Sequence, residues 1–338
     1  MAHWAIIGSG LAGVTLAKEL ATKHDVTIFE KSHSSAGRMA TRRRSADGYE
    51  FSFDHGAQYF TIKGDGFQNA MQPYLDQGIV QPWSTKMVTI TGDRIIPRPS
   101  SHPIYVASPS MTGLVKAMAT GLDIRHKVEI KAITPTPDAT QSQWMLTDSD
   151  GKDHGPFDGV VTAIPAHQAA QLIPEAKPAL DQVKMLGCFT IMMGFGDDQV
   201  FRQDLRLDWP EDSDAAYVED SPLGFVAVNS SKPGRGNKPS VVVQANNAWA
   251  DTRLDEDPNK IETLLHQEIK STLGFDAEKA AATSFHRWRY AATQTPLGQP
   301  YWRHECGQLA AIGDWCIKGR VEAAYDSAMA LAQSILQD

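Results

Sequence analysis

The sequence predicts an α/β protein of two domains: a Rossmann-like dinucleotide-binding domain and a second domain of mixed sheet and helix. Three observations predict it. The chain has 338 residues, more than one compact core accommodates. It opens on a strand, a glycine turn, a helix and a second strand, running from Ala5-Ile6-Ile7-Gly8-Ser9-Gly10-Leu11-Ala12-Gly13 to Val26-Thr27-Ile28-Phe29-Glu30-Lys31. Finally, the βαβ rhythm lapses over about 67–99 and again over 166–290, where strand-like pieces alternate with Pro and Gly. The first domain is expected over 1–66, 100–165 and 296–338, the second over 67–99 and 166–295.

In the opening unit Gly8 allows the tight turn, Gly10 lets a pyrophosphate approach the backbone, and Gly13 lets the helix pack on the strands. The helix N-terminus points free N–H groups and a partial positive charge at the phosphates. Glu30 lies about 20 residues on, where a carboxylate accepts hydrogen bonds from ribose hydroxyls. A helix is predicted over Ala12 to Thr22 and a short β-branched strand over Val26 to Phe29.

The segment Ser34-Ser35-Ala36-Gly37-Arg38-Met39-Ala40-Thr41-Arg42-Arg43-Arg44 follows. A guanidinium after Gly37 suits a diphosphate, so Arg38 is read as a phosphate ligand against the alternative of a solvated basic loop. Arg43 and Arg44 read as surface charge, and Arg42 stays open between the two. Phe51 to Thr61 is a strand-turn-strand segment with polar groups inside an aromatic run. Gly56 gives close backbone approach, and Gln58 and Tyr59 are placed to face a planar ring. Taken alone, the segment also fits a core, and His55 fits a hydrogen-bonded packing residue better than a base.

Strands are expected at Met87 to Ile90 and Asp123 to Ile133, the latter setting Val128 where a backbone amide meets adenine. A helix capped at Ser110 lies between them. Trp144 to Thr147 and a turn at Asp150-Gly151 suggest a hairpin. The apolar strand Gly159 to Ile164 ends at Pro165 and suits the carboxyl edge of a sheet, where ligands collect. One clear helix is predicted from Pro258 to Thr272. In His286-Arg287-Trp288-Arg289-Tyr290-Ala291 the period of two puts the arginines on one side and the aromatics on the other. Leu309 to Cys316 is a strand breaking at Gly313-Asp314, followed by Gly319-Arg320-Val321-Glu322 and a closing small-residue helix. An aspartate and a helix start in that order suit the far end of a flavin, binding ribityl hydroxyls and stabilising negative charge on the reduced ring.

Composition narrows the partners. The chain is 42% hydrophobic and 21% charged, as ordinary globular proteins are, and its net charge of −8 argues against nucleic acid or a membrane surface. Cys188, Cys306 and Cys316 form no CxxC pair, which argues against a disulfide framework or metal site and fits a reducing cytoplasm. The first apolar run lacks the flanks of a secretory leader, and no apolar run reaches transmembrane length. A monomer or homodimer is expected.

Taken together, Phe53-Asp54-His55-Gly56-Ala57-Gln58-Tyr59-Phe60-Thr61, Trp288-Arg289-Tyr290-Ala291 and Gly313-Asp314-Trp315-Cys316 with Gly319-Arg320-Val321-Glu322 resemble the renalase-like flavoproteins of the flavin amine oxidase superfamily. The resemblance covers nearly the whole chain. It implies non-covalent FAD and a hydroxybenzoate hydroxylase-like two-domain flavoprotein. It also implies oxidation of dihydronicotinamide dinucleotides carrying hydride at the 2 or 6 position, giving β-NAD(P)+ and, with O2, hydrogen peroxide. FAD is then expected along Gly8, Gly10, Leu11, Ala12, Gly13, Glu30, Lys31, Gly37, Arg38, Met39, His55, Gly56, Ala57, Gln58, Val128, Ala163, Gly313, Asp314, Arg320, Val321 and Ala324. Gln58, Tyr59, Phe60, Trp288 and Tyr290 are expected around the reacting ring, with sheet core as the alternative for Trp288 and Tyr290. Two small-for-small departures from the family pattern occur, at Ala36 and at Ser327-Ala328. Two other readings stand beside this one: an oxidase of small amines, and a flavin-free binding module like the GDP-dissociation inhibitors.

Overall fold

The opening strand His3–Ile7 is apolar on both faces, and it lies in the interior of a six-stranded sheet. The structure, a computed structural model, describes residues 1–136, 143–196 and 213–337. The strand order is Asp123–His126, Asp25–Glu30, His3–Ile7, Gly159–Thr162, Leu309–Ala311, Trp302–Arg303, and every pairing except the last is parallel. Such strands are buried on both faces, which is why they read as unbroken apolar runs. The register sets Ile7 beside Phe29 and Thr162, and Thr162 beside Ala311. Gly8, Glu30, Ala163 and Gly313 therefore emerge together at the carboxyl edge of the sheet.

The chain forms two compact units. The first comprises Met1–Met39, Val115–Met185 and Thr293–Asp338; the second comprises Ala40–Leu114 and Leu186–Ala292. These limits differ from the expected ones for physical reasons. Phe51 and Phe53, on the hairpin Thr41–Ala46/Tyr49–Asp54, are buried with Met192 and Val242, so residues 40–66 pack in the second unit, and residues 100–114 go with them because strand Ile104–Ala107 pairs with Phe60–Thr61 and Val80–Pro82. Ala166, Ala169, Ala170, Ile173 and Leu180 are buried with Ala5 and Val160, so residues 166–185 pack in the first.

Within the first unit, helix Leu11–Leu20 lies against the C-terminal helix Val321–Gln337 through small residues, with Gly13, Ala17, Ser327 and Ala328 buried. The expected strand Asp123 to Ile133 is two strands, Asp123–His126 and Ile130–Pro135. Lys127 between them has φ 60°, a left-handed turn that no strand sustains. The turn at Asp150-Gly151 does close a hairpin, but its second arm is Asp153–Phe157; Gly159–Thr162 joins the parallel sheet instead.

The second unit is built on a seven-stranded sheet, in the order Ala282–Thr295, Lys184–Gly194, Ser240–Ala245, Leu223–Val228, Ala215–Glu219, Met87–Thr91, Arg94–Pro97. Helix Pro258–Leu273 covers one face with the stripe Ile261, Leu265, Ile269 and Leu273. Asp257 caps its start by accepting from the Asn259 amide, and Gly274 ends it at φ 82°. On the other face the register aligns Thr89, Tyr217, Phe225, Gln244 and Thr190 in one row across five strands.

Candidate active site

The glycine turn of the first unit is fitted to its surroundings at two positions and open at a third. Gly8 has φ 105°, and a Cβ there would meet the Ala163 carbonyl at 2.7 Å. A Cβ on Gly13 would lie 2.0 Å from the Gly8 carbonyl oxygen. Gly10, at the N-terminus of the helix, faces open space: apart from its chain neighbours, no protein atom lies within 4 Å of its hypothetical Cβ. Packing therefore explains Gly8 and Gly13 but not Gly10, whose bareness fits a ligand phosphate. Gly37, at φ 52°, passes over Gly10, with its own Cβ position 3.5 Å from the Gly10 Cα.

Glu30 is buried and fixed. Its Oε2 accepts from the Ser9 amide and Ser9 Oγ, both at 2.9 Å, and its Oε1 accepts from the Ser32 amide at 2.8 Å. The Val128 amide donates to the Glu30 carbonyl at 3.0 Å, so that N–H is committed to the protein rather than free for adenine. Leu11, Ala12 and Met39 are buried beside the turn, whereas Lys31 is exposed.

Arg38 and Asp314, separated by 276 residues, meet in the same unit. Arg38 Nη1 donates to Asp314 Oδ2 at 2.9 Å and Nη2 donates to Oδ1, a paired contact on a carboxylate that is 9% exposed. The expected phosphate ligand thus grips the expected ribityl ligand. The Asp314 carbonyl accepts from the amides of Ile317, Lys318 and Gly319, and the Gly313 amide donates to Ser327 Oγ. This closes the turn leading to Arg320, which is exposed, and to Val321 and Ala324 at the start of the last helix.

Ala36 has φ 143°, where side chains are strained. Ala36→Gly is expected to raise stability by about 1 kcal/mol, the strain relieved less the entropy of a freer unfolded chain. Denaturant titration of both proteins measures it, and a loss of stability would show the methyl to be needed for packing.

In the second unit, the loop from Asp54 to Tyr59 lies on the open face of the seven-stranded sheet and is held by its carbonyls. His55 O accepts from Thr190 Oγ1 at 3.2 Å and from the Trp288 indole N–H at 2.9 Å. Gly56 O accepts from Gln244 Nε2 at 2.7 Å. The Tyr59 and Tyr217 hydroxyls share a 2.5 Å hydrogen bond, and Tyr217 packs edge-on against Phe225. The aligned row of sheet residues is therefore the bed of the loop. Tyr217 and Gln244 went unread in the sequence, because they lie on short strands whose neighbours are distant along the chain.

The expected residues divide. Half-buried Tyr59, Trp288 and Tyr290 lie on the face that carries the loop, with Gly56 and Ala57 also half-buried. Phe60 is 4% exposed and packs on Phe67 and Tyr105, as core. Gln58 is buried with its amide committed: Nε2 donates to the carbonyls of Asp54 and Gly56, and Oε1 accepts from Lys232 Nζ at 3.0 Å. Its place is inside the loop, closing it.

His55 stacks on Trp288, with centroids 5.1 Å apart, and meets His286 edge-on at 4.9 Å. Arg42 Nη2 donates to His286 Nδ1 at 3.0 Å, which leaves Nε2 as the protonated nitrogen. Burial, then His286 and Arg42, pushes the His55 pKa down to about 3; burial and Arg42 push His286 down to about 4. Between those values and the usual His range near 6.5, the unfolded chain binds more protons than the folded one. Melting temperature should therefore fall as pH drops from about 6.5 toward 4. His286→Gln, which keeps an acceptor for Arg42 but does not titrate, should flatten that fall; an identical profile would remove His286 from it.

Residues 6–77 match the model of the NAD(P)-binding Rossmann-like domain, and residues 98–336 match the model of the flavin containing amine oxidoreductases. Among solved structures, a putative protoporphyrinogen oxidase from Exiguobacterium sp. 255-15 is similar, with a TM-score of 0.76 at 12% identity, covering 100% of this chain and 99% of that one. Wild-type putrescine oxidase bound to putrescine is similar too, with a TM-score of 0.67 at 10% identity over 100% and 99%. At these identities the likeness is one of fold. Among the described residues no helix is long and apolar enough to cross a membrane.

Proposed function

Because the chain belongs to the flavin containing amine oxidoreductase family, we propose that it is an FAD-dependent oxidase taking hydride from a carbon next to an uncharged nitrogen. FAD, held without a covalent link, would supply the hydride acceptor and, with O2 as the final oxidant, give hydrogen peroxide. The observation that carries this reading is the open Gly10 at a helix N-terminus, with Glu30 fixed beside it. Gly8, Gly10, Gly13 and the helix start would hold the diphosphate, Glu30 a ribose, and Arg38 and Asp314 the diphosphate and ribityl chain. Tyr59, Tyr217, Trp288 and Tyr290 are assigned to the substrate, as flat walls that position it and exclude water. No strong base is required, since hydride loss leaves a stabilised cation.

Two substrate classes offer that C–H bond. The family points to a small amine in its neutral form. The second class is a dihydronicotinamide with hydride at ring position 2 or 6, as the renalase-like motifs imply.

Anaerobic rapid mixing of the FAD-loaded protein with primary amines, and with borohydride-treated NAD+ as a source of dihydronicotinamide isomers, tests the proposal. Bleaching of the flavin by the second panel alone assigns the dihydronicotinamide; bleaching by amines assigns the amine. A protein that takes up no FAD, or whose flavin neither panel bleaches, overturns the reading.

A further inference from the structure

Two buried cations and one buried anion meet in the second unit. The side chains of Asp54, Lys232 and Arg235 all have 0% exposure. Arg235 approaches Asp54 Oδ2 through Nη2 at 2.6 Å and Nε at 3.0 Å, and spends its Nη1 on the carbonyls of Ala107 and Pro233. Lys232 Nζ has three acceptors: Asp54 Oδ2 at 3.4 Å, Asn229 Oδ1 at 3.3 Å and Gln58 Oε1 at 3.0 Å. The Trp83 ring lies 5.3 Å from the ammonium. Among the described residues no second carboxylate pairs with either cation.

Arg235 already matches Asp54 charge for charge, with the better geometry. The ammonium of Lys232 is therefore an excess buried cation, and such a charge lowers stability unless paired. Consistent with that, burial pushes its pKa down to about 8 against the pull of Asp54, with Arg235 adding to the fall. A neutral side chain of similar length would fill the space at less cost. Pairing with Asp54, whose carboxyl Lys232 helps to hold ionised, does not by itself account for a lysine here.

Its contact with Gln58 does. An ammonium only donates and a carbonyl only accepts. Gln58 lies between the two kinds of group, so Lys232 draws Oε1 to itself and leaves Nε2 for the carbonyls of Asp54 and Gly56. With the donor removed, the Gln58 amide loses the reason to hold that orientation, and the loop loses its internal clasp. We infer that Lys232 is a positioning residue, kept at a cost in stability, that fixes the Gln58 amide and so the shape of the Asp54–Tyr59 loop that meets substrate. The substrate part of this inference rests on the reading above.

The test is Lys232→Met in the full-length, FAD-loaded protein, read by melting, by amide hydrogen exchange at residues 55–58, and by flavin reduction with the two panels. The expected result is an unchanged or higher melting temperature, exchange at least tenfold faster at 55–58, and reduction at least tenfold slower at unchanged FAD affinity. Gln58→Leu should speed the same amides, and the double variant should be no faster than Gln58→Leu alone, since both remove one clasp. A Lys232→Met protein that fails to fold, melts several degrees lower, or keeps slow exchange overturns the inference, as do additive effects in the double variant. If neither panel bleaches the unaltered protein, the substrate reading falls, while melting and exchange still decide the role of Lys232.

Discussion

Asp54→Ala is expected to destabilise the second unit by at least about 3–5 kcal/mol, the usual cost of leaving a buried charge without its partner. Here two cations would be left, Lys232 and Arg235, both fully buried. The same substitution strips the acceptor from Thr41 Oγ1, at 2.6 Å, and from the Met111 amide, at 3.1 Å, where helix Met111–Met118 begins. Guanidinium titration measures the loss, and a change under about 1 kcal/mol would mean that water reaches the cations. Adding Lys232→Met to Asp54→Ala should recover part of the loss, because it removes one of the stranded charges. The pH dependence has a definite sign. Burial pushes the Asp54 carboxyl up, but Lys232, Arg235 and Thr41 together hold it below the ordinary carboxylate range. A depressed folded pKa gives stability that is present above the unfolded value, about 4, and is lost as pH falls through the folded value. Acid should therefore unfold this unit below pH 4, and Asp54→Asn should lose that step.

How legible such a centre is depends on whether its signal is local. The glycine turn, Glu30, and the strand breaking at Gly313-Asp314 are short-range patterns, and each lies where its pattern implies, on one sheet edge. Helix Pro258–Leu273 carries both of its stops in the sequence, Asp257 and Gly274. By contrast, the segment Asn229-Ser230-Ser231-Lys232-Pro233-Gly234-Arg235 has the composition of a solvated loop, and nothing beside it in the chain marks it as buried. The usable hint was Asp54 itself: a carboxylate ending an aromatic strand requires a cation, and none lies nearby in sequence. The partners of Gln58 are hidden in the sequence for a related reason. Its residue type suits ligand contact, but its three committed hydrogen bonds depend on Lys232, 174 residues away. Likewise, the split between Asp123–His126 and Ile130–Pro135 turns on the backbone of Lys127, a residue type with no turn preference.

The contrast between Gly10 and Gly13 separates folding from cofactor binding within four residues. Gly13→Ala is expected to cost more than about 3 kcal/mol of stability, since its Cβ would lie 2.0 Å from the Gly8 carbonyl oxygen and a backbone atom cannot yield cheaply. The helix would be forced off the first strand, and the core around Ala5 and Ala17 would open with it. Gly10→Ala places the same methyl group in open space at the helix start. It should lower the melting temperature of the FAD-free protein only slightly, because Gly10 is the N-cap of the helix, where alanine is disfavoured, and lower chain entropy in the unfolded state offsets part of that loss. Its main effect should appear when FAD is titrated in, as at least a tenfold rise in Kd, about 1.4 kcal/mol or more. Calorimetric titration beside thermal melting resolves the pair. Equal FAD affinity in Gly10→Ala would show that nothing approaches that glycine closely, and the assignment of the turn to a diphosphate would fall with it. The alternative, a turn shaped only by packing, predicts the reverse: a harmless Gly10→Ala in both assays. Only a site built for a ligand gives a residue that is bare, costs little to cover, and cannot be covered without losing the cofactor.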